Sequence, residues 1–241
     1  MDEALSRLLS ELNSEAPDVR AEFDDLFDPV INIFPIPFFG NLLNAKVATV
    51  GLNPSDGEIR NGHWPRSVDS PMLFRRLTEY FNNSQFPPHP WFDTWNKALG
   101  EVGVSYADGS AVHIDICPWP TRPMSSLINP EHFEKIVVQN LSWFWRCIRL
   151  ATNLRLVFIA GAVSKQFCIN EFLSKKNNVS GTALIGKIPR RGTAYVGYHR
   201  LLVSGKEYPV FFCSVSPSSR NHSMLLDRVH ENRNQLLKFL T

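Results

Sequence analysis

No run of about 18 apolar residues occurs in the 241-residue chain, so no helix is expected to span a membrane. Cysteine is sparse. Cys117, Cys147, Cys168 and Cys213 are scattered, with no CxxC pair and no metal-type spacing to a histidine. Each lies in an apolar stretch and reads as a small buried hydrophobe, so neither a metal nor another cofactor is expected. The chain also lacks a GxSxG elbow, a P-loop and a dinucleotide glycine fingerprint, and no local signature supports Ser/His/Asp hydrolysis. No repeat, linker or low-complexity segment interrupts it, which favours one domain over residues 1–241. The N-terminal residues are acidic rather than basic, which argues against a signal or transit peptide and for a cytoplasmic protein.

What is present is an ordinary globular composition, 44% hydrophobic, enough to fill a core. The net charge of +2 hides an asymmetry. Met1–Arg60 carries four Lys/Arg against eleven Asp/Glu, whereas Thr182–Thr241 carries nine against three. A basic C-terminal part suits an anionic partner; an uneven but merely solvated surface is the alternative.

Hydrophobic spacing sets the expected elements. Ala4, Leu5, Leu8, Leu9 and Leu12 follow a helical period. FPIPFFG, Phe34 to Gly40, is broken by proline and cannot be helix interior. Val47 to Leu52 reads as a buried strand. Ser70-Pro71 reads as an N-cap and first-turn proline, with Leu73, Phe74, Leu77, Tyr80 and Phe81 on one helical face. The Pro-rich aromatic stretch Phe86 to Trp95 leads into another short helix. Ala111 to Cys117 is a second strand. Asn129-Pro130 opens a long helix that turns Phe133, Ile136, Val137, Leu141, Phe144 and Ile148 inward. Leu154 to Ala160 is a third strand, followed by Gly161 and a helix to about Leu173. Thr193–Val203 and Tyr208–Val215 flank SGKE as a hairpin, and a final helix carries Leu225, Leu226, Val229, Leu236 and Leu237. Strands alternating with helices predict a parallel sheet with helices on both faces.

Three of these strands run into unusual polar loops: GLNPS (Gly51 to Ser55), DICPWP (Asp115 to Pro120) and SPSSRN (Ser216 to Asn221). In a parallel sheet all three lie along one edge and converge on one crevice. Their prolines stiffen them, and their backbone N–H groups suit stabilisation of an anion that develops during a reaction.

In order and position these loops resemble the motifs of the uracil-DNA glycosylase superfamily, most nearly its single-strand-selective monofunctional and mismatch-specific branches. The resemblance covers roughly Phe34 to the C-terminus. It implies a three-layer αβα sandwich around a central, mainly parallel four-stranded sheet. It implies a metal-free, monofunctional DNA glycosylase that flips a uracil, or another deaminated or damaged base, out of single- or double-stranded DNA. It also implies a monomer that takes part in base-excision repair. No catalytic lysine is identifiable, so no lyase step is expected.

By this resemblance Asn53 positions the attacking water; a loop-capping Asn is the alternative. Gly51, Leu52, Pro54 and Ser55 border the base, with Ser55 standing where the family has a glycine. Asp115 occupies the place of the Asn that reads uracil. An ionised carboxylate only accepts and would favour a base with an amino group or N–H at that edge, whereas a buried protonated one also donates. Ser216 stands where a catalytic histidine is found in one branch, and His222 is a weak substitute. Pro217, Ser218, Ser219, Arg220 and Asn221 match the loop that enters DNA. Trp64, or His63, is the candidate for stacking on the base. His113 shares a strand face with Asp115 by alternation and reads as a buried structural histidine. Two other functions stay open: a catalytically inactive nucleic-acid-binding protein on the same scaffold, and a hydrolase of small nucleosides or esters.

Overall fold

The computed structural model describes residues 2–60, 64, 69–83, 87–123, 129–161, 182–183, 196–215, 217 and 222–241. Among them the chain builds an α/β structure on one mixed sheet. The strands are β1 (Phe38–Gly40), β2 (Val47–Gly51), β3 (Ala111–Asp115), β4 (Leu156–Ala160), β5 (Thr182–Ala183), β6 (Val196–Val203) and β7 (Lys206–Cys213). The helices are α1 (Glu3–Glu22), α2 (Gly57–Arg60), α3 (Ser70–Thr78), α4 (Trp91–Gly100), α5 (Pro130–Leu150), α6 (His222–Glu231) and α7 (Arg233–Leu240).

The strand order is β1-β3-β2-β4-β7-β6-β5. β3, β2, β4 and β7 are mutually parallel. The four-stranded expectation is too small, because both edges are extended by antiparallel strands. β1 pairs with β3, and β6 pairs with β7 and with the two-residue β5. The physical reason lies in the loops. FPIPFFG passes its prolines and then lays Phe38–Gly40 on the open edge of β3. Ser204 and Gly205 both take positive φ (51° and 81°), the two-residue turn whose twist suits a tight hairpin, so β6 returns beside β7. The hairpin around SGKE is therefore present as expected.

All five residues of β2, of β3 and of β4 are buried, so both faces of the sheet centre are covered. On one face Thr49, His113 and Phe158 lie side by side in register. Helix α4 packs there, with Phe92 5.2 Å from His113 and Trp95 6.2 Å from Phe158. The alternate residues Ala48, Val50, Val112, Ile114, Val157 and Ile159 are as deeply buried, so the second face is dry too. Helix α5 touches β3 and β6. Its expected inward residues, Phe133 through Ile148, are all buried. Helix α1 lies along α5 through Lys135–Glu22 and Arg146–Glu11 pairs, both 2.7 Å. These pairs are partly exposed; buried Leu5, Leu8, Leu9 and Leu12 supply the stabilisation.

Several boundaries differ from expectation. α1 runs ten residues past Leu12 to Glu22 and holds Pro17 within it. The N-cap of α3 is Asp69 rather than Ser70, its carboxylate accepting from the Met72 N–H. α3 stops at Thr78, and Tyr80 enters the core from a separate 3-10 turn. Asn129 caps α5 and Pro130 occupies its first turn, as read. The last helical stretch is two helices, with Asn232 between them. The helix expected after Gly161 lies outside the described residues. Cys117, Cys147 and Cys213 are free and buried. Among the described residues no helix is long and apolar enough to cross a membrane.

Candidate active site

β2, β3, β4 and β7 are parallel, so their C-terminal residues Gly51, Asp115, Ala160 and Cys213 share one edge of the sheet. From β2 the chain goes first to β3 on one side and then to β4 on the other, which makes the end of β2 a topological switch point. A cavity of about 510 Å³ opens there. Gly51 to Ser55, Asp115, Gly161 and Pro217 line it, so strand ends far apart in sequence meet as expected. Its aromatic wall is Phe39, Trp91 and Phe92, and Glu58, His89 and His113 complete the polar lining.

The two loops at the centre are stitched together beyond the ends of their strands. Ile116 N–H donates to Gly51 O (3.1 Å), Cys117 N–H to Leu52 O (2.9 Å) and Asp56 N–H to Thr121 O (3.0 Å). Asn53 is fixed within this frame. Its Nδ2 donates to Pro54 O and to Thr121 Oγ1, both at 2.9 Å. With both amide protons committed, Oδ1 is the atom left to accept from a ligand or water. Asn53 therefore holds the loop and keeps a free acceptor at once. Ser55 turns without a left-handed backbone; the one non-glycine positive φ among the described residues is at Ser204. The Ser55 hydroxyl instead accepts from Gly57 N–H at the start of α2. Asp56, buried, takes a two-pronged contact from Arg60 (3.0 and 2.7 Å), and Arg60 also pairs with Asp28.

Asp115 is 3% exposed, and no described residue hydrogen-bonds its Oδ2. Its Oδ1 lies 3.4 Å from His113 Nε2. Burial raises the carboxyl above the ordinary aspartate range, with His113 opposing in part. Gly51 makes room for this pair: a Cβ there would sit 2.2 Å from Asp115 Oδ1 and 2.6 Å from His113 Nε2. Behind His113, Nδ1 is 2.8 Å from Thr49 Oγ1, which is 2.6 Å from Tyr106 Oη.

Glu58 is a second buried carboxyl, pushed up to about 7 by burial. The Tyr80 hydroxyl donates to it at 2.8 Å and opposes the rise, while Asp115 adds to it. Sequence reading missed Glu58 because an acidic residue three places beyond a loop looks solvated; only α2 folding inward buries it. It also missed Trp91 and Phe92. Their signal was the aromatic run after His89-Pro90, which was read as a helix entrance. Trp64 is not part of the cavity wall. It is buried against Phe34, ring centroids 5.3 Å apart, so the aromatic wall comes from Trp91 and Phe92 in its stead. Pro217 is buried and lines the cavity, whereas Ser216, Ser218, Ser219, Arg220, Asn221 and His63 lie outside the described residues. Among the described residues no three His, Cys, Asp or Glu side chains are grouped so as to hold a metal ion. No protein-family model matches the chain, and no curated protein sequence matches it.

Proposed function

We propose that the protein is a monofunctional DNA glycosylase of the uracil-DNA glycosylase type, and that a flipped base enters the 510 Å³ cavity. The parallel quartet β3-β2-β4-β7, with its edge strands, is then an enlarged form of the three-layer αβα sandwich. The observation that carries the reading is Asn53. Its amide protons are held by Pro54 and Thr121, and its Oδ1 is left for a water in the lining of a cavity with room for a nucleobase.

The chemistry follows from that arrangement. The glycosidic bond breaks with its electron pair going to the base, and the sugar becomes an oxocarbenium ion. Water bound to Asn53 Oδ1 adds to the anomeric carbon. A neutral amide is a poor base, which suits a nucleophile that attacks a cation already formed. The water's proton passes at the end to the departing base, so no co-reactant is needed. Trp91, Phe92 and Phe39 supply apolar surface for the extruded ring. The basic C-terminal part suits the DNA backbone.

The test is base release from labelled single-stranded and duplex oligonucleotides carrying uracil, hypoxanthine, xanthine or normal bases. Asn53→Ala is expected to lose release by about 100-fold or more while binding DNA nearly as before. Equal loss of both would make Asn53 structural only. A second reading has one observation in its favour: two buried carboxyls, Glu58 and Asp115, line the cavity, as a small N-glycoside hydrolase would use. Hydrolysis of a free nucleoside without steep salt dependence would support it over the DNA reading.

A further inference from the structure

Behind the cavity runs a buried polar chain, Tyr106–Thr49–His113–Asp115, to which the glycosidic chemistry assigns no step. Its direction can be worked out from its far end. The Tyr106 side chain is buried, and Thr49 is the one described partner of its hydroxyl. A phenol carries a single proton, and burial keeps it there. Tyr106 therefore donates to Thr49 Oγ1 at 2.6 Å. Thr49 has one proton of its own and two acceptors in reach: His113 Nδ1 at 2.8 Å and Val112 O at 3.5 Å. Were Nδ1 the donor, the Thr49 proton would be left with only the 3.5 Å contact, at the limit of a hydrogen bond, so Thr49 donates to Nδ1. Nδ1 is then an acceptor, so the neutral imidazole carries its proton on Nε2, and that proton faces Asp115 Oδ1.

Oδ1 is thus already engaged, and Oδ2 is the atom left over, buried and without a described partner. An ionised carboxylate in that place would bury a charge with a single long contact to offset its desolvation. A neutral carboxylic acid there leaves only one O–H unpaired, which costs far less than a buried charge. Burial is the largest influence on it and His113 opposes in part, while no other described neighbour brings a positive charge close. Glu58 from α2 is a second carboxyl; Tyr80, Tyr106 and Cys117 carry no positive charge; His113 reaches it with a neutral N–H, and His89 stands exposed at the cavity's rim.

We propose that Asp115 is a specificity-determining carboxylic acid, neutral at pH 7. The Tyr106–Thr49–His113 chain orients it so that Oδ2–H is offered to a base edge bearing a carbonyl oxygen or an unprotonated ring nitrogen. Thr49, Tyr106 and His113 are positioning residues. The inference rests on the glycosylase reading for the identity of its ligand, but the state of the carboxyl does not depend on that reading.

The experiment uses the whole chain with 13C-carboxyl-labelled aspartate and 15N-histidine, Asp115 being assigned by its loss in Asp115→Asn. The expected result is a carboxyl resonance of the neutral acid at pH 7 and a single Nε2–H tautomer for His113. Thr49→Val, close in shape, is expected to turn that tautomer into a mixture. An ionised Asp115 at pH 7, or an unchanged tautomer in Thr49→Val, overturns the proposal. The wild-type measurement needs no variant to fold. In parallel, release of uracil or hypoxanthine is followed against pH. It is expected to fall about tenfold per pH unit above the titration of Asp115, and that fall is expected to vanish in Asp115→Asn. A fall that persists in Asp115→Asn overturns the specificity role. Failure to release any base at any pH defeats the glycosylase reading, and the carboxyl resonance then decides the proposal by itself.

Discussion

Glu58 makes the fold's stability depend on pH in a direction opposite to that of most carboxylates. Its side chain is buried, and burial lifts it from the ordinary 4.5 to about 7. The native state therefore binds a proton more tightly than the unfolded chain. Its contribution is fully present below pH 4.5 and is lost as pH rises through about 7. The gap between 4.5 and about 7 is worth about 3 kcal/mol, a large share of a typical domain's stability. Glu58→Gln keeps an oxygen for the Tyr80 hydroxyl and removes the titration. Denaturant unfolding of both proteins from pH 4 to 8.5 should show similar stabilities at the acid end. The variant should gain about 3 kcal/mol over wild type by pH 8. Asp115 is raised too and adds to the rise at Glu58, so the same comparison is repeated in the Asp115→Asn background. Parallel curves would refute the reasoning, because they would mean that Glu58 ionises in the folded protein as readily as in water.

Three other substitutions test the frame of the site. Gly51→Ala places a Cβ 2.2 Å from Asp115 Oδ1 and should cost about 1–3 kcal/mol in unfolding experiments while displacing the Asp115–His113 pair. Wild-type stability would show that the pair yields freely. Thr121→Val removes the acceptor that holds Asn53 Nδ2, and base release should fall about 10- to 100-fold with little change in Tm. An unchanged rate would mean that Pro54 alone orients Asn53. Asn140→Ala leaves the buried Trp119 Nε1 without its 2.8 Å acceptor and should destabilise the protein by about 1–3 kcal/mol, measured by denaturant titration. A loss below about 0.5 kcal/mol would show that another group replaces it.

The parallel heart of the sheet was legible because Val47–Gly51, Ala111–Asp115 and Leu156–Ala160 are unbroken apolar runs, the mark of strands covered on both faces. The edge strand at Phe38 was not, since prolines one and three residues earlier mask three residues whose pairing depends wholly on β3. Asn53 and Asp115 stood out as polar residues where apolar strands stop. Glu58, Thr121 and Thr49 did not, because their roles come from what faces them across the fold: Tyr80, Asn53 and His113. Trp64 misled for the same reason. Its nearness in sequence to GLNPS says nothing about which wall it joins, and it joins Phe34.

The three backbone hydrogen bonds that bind residues 51–56 to residues 116–121 have a consequence for engineering and for descent. Neither loop is a separable cassette. Grafting the first onto another scaffold without the second would strip Asn53 of Thr121 and leave carbonyls at Gly51 and Leu52 unmet. Variation in what the cavity accepts is therefore easier to reach through the aromatic wall of α4, which supplies none of the three tether hydrogen bonds, than by exchanging the segments that hold Asn53 and Asp115.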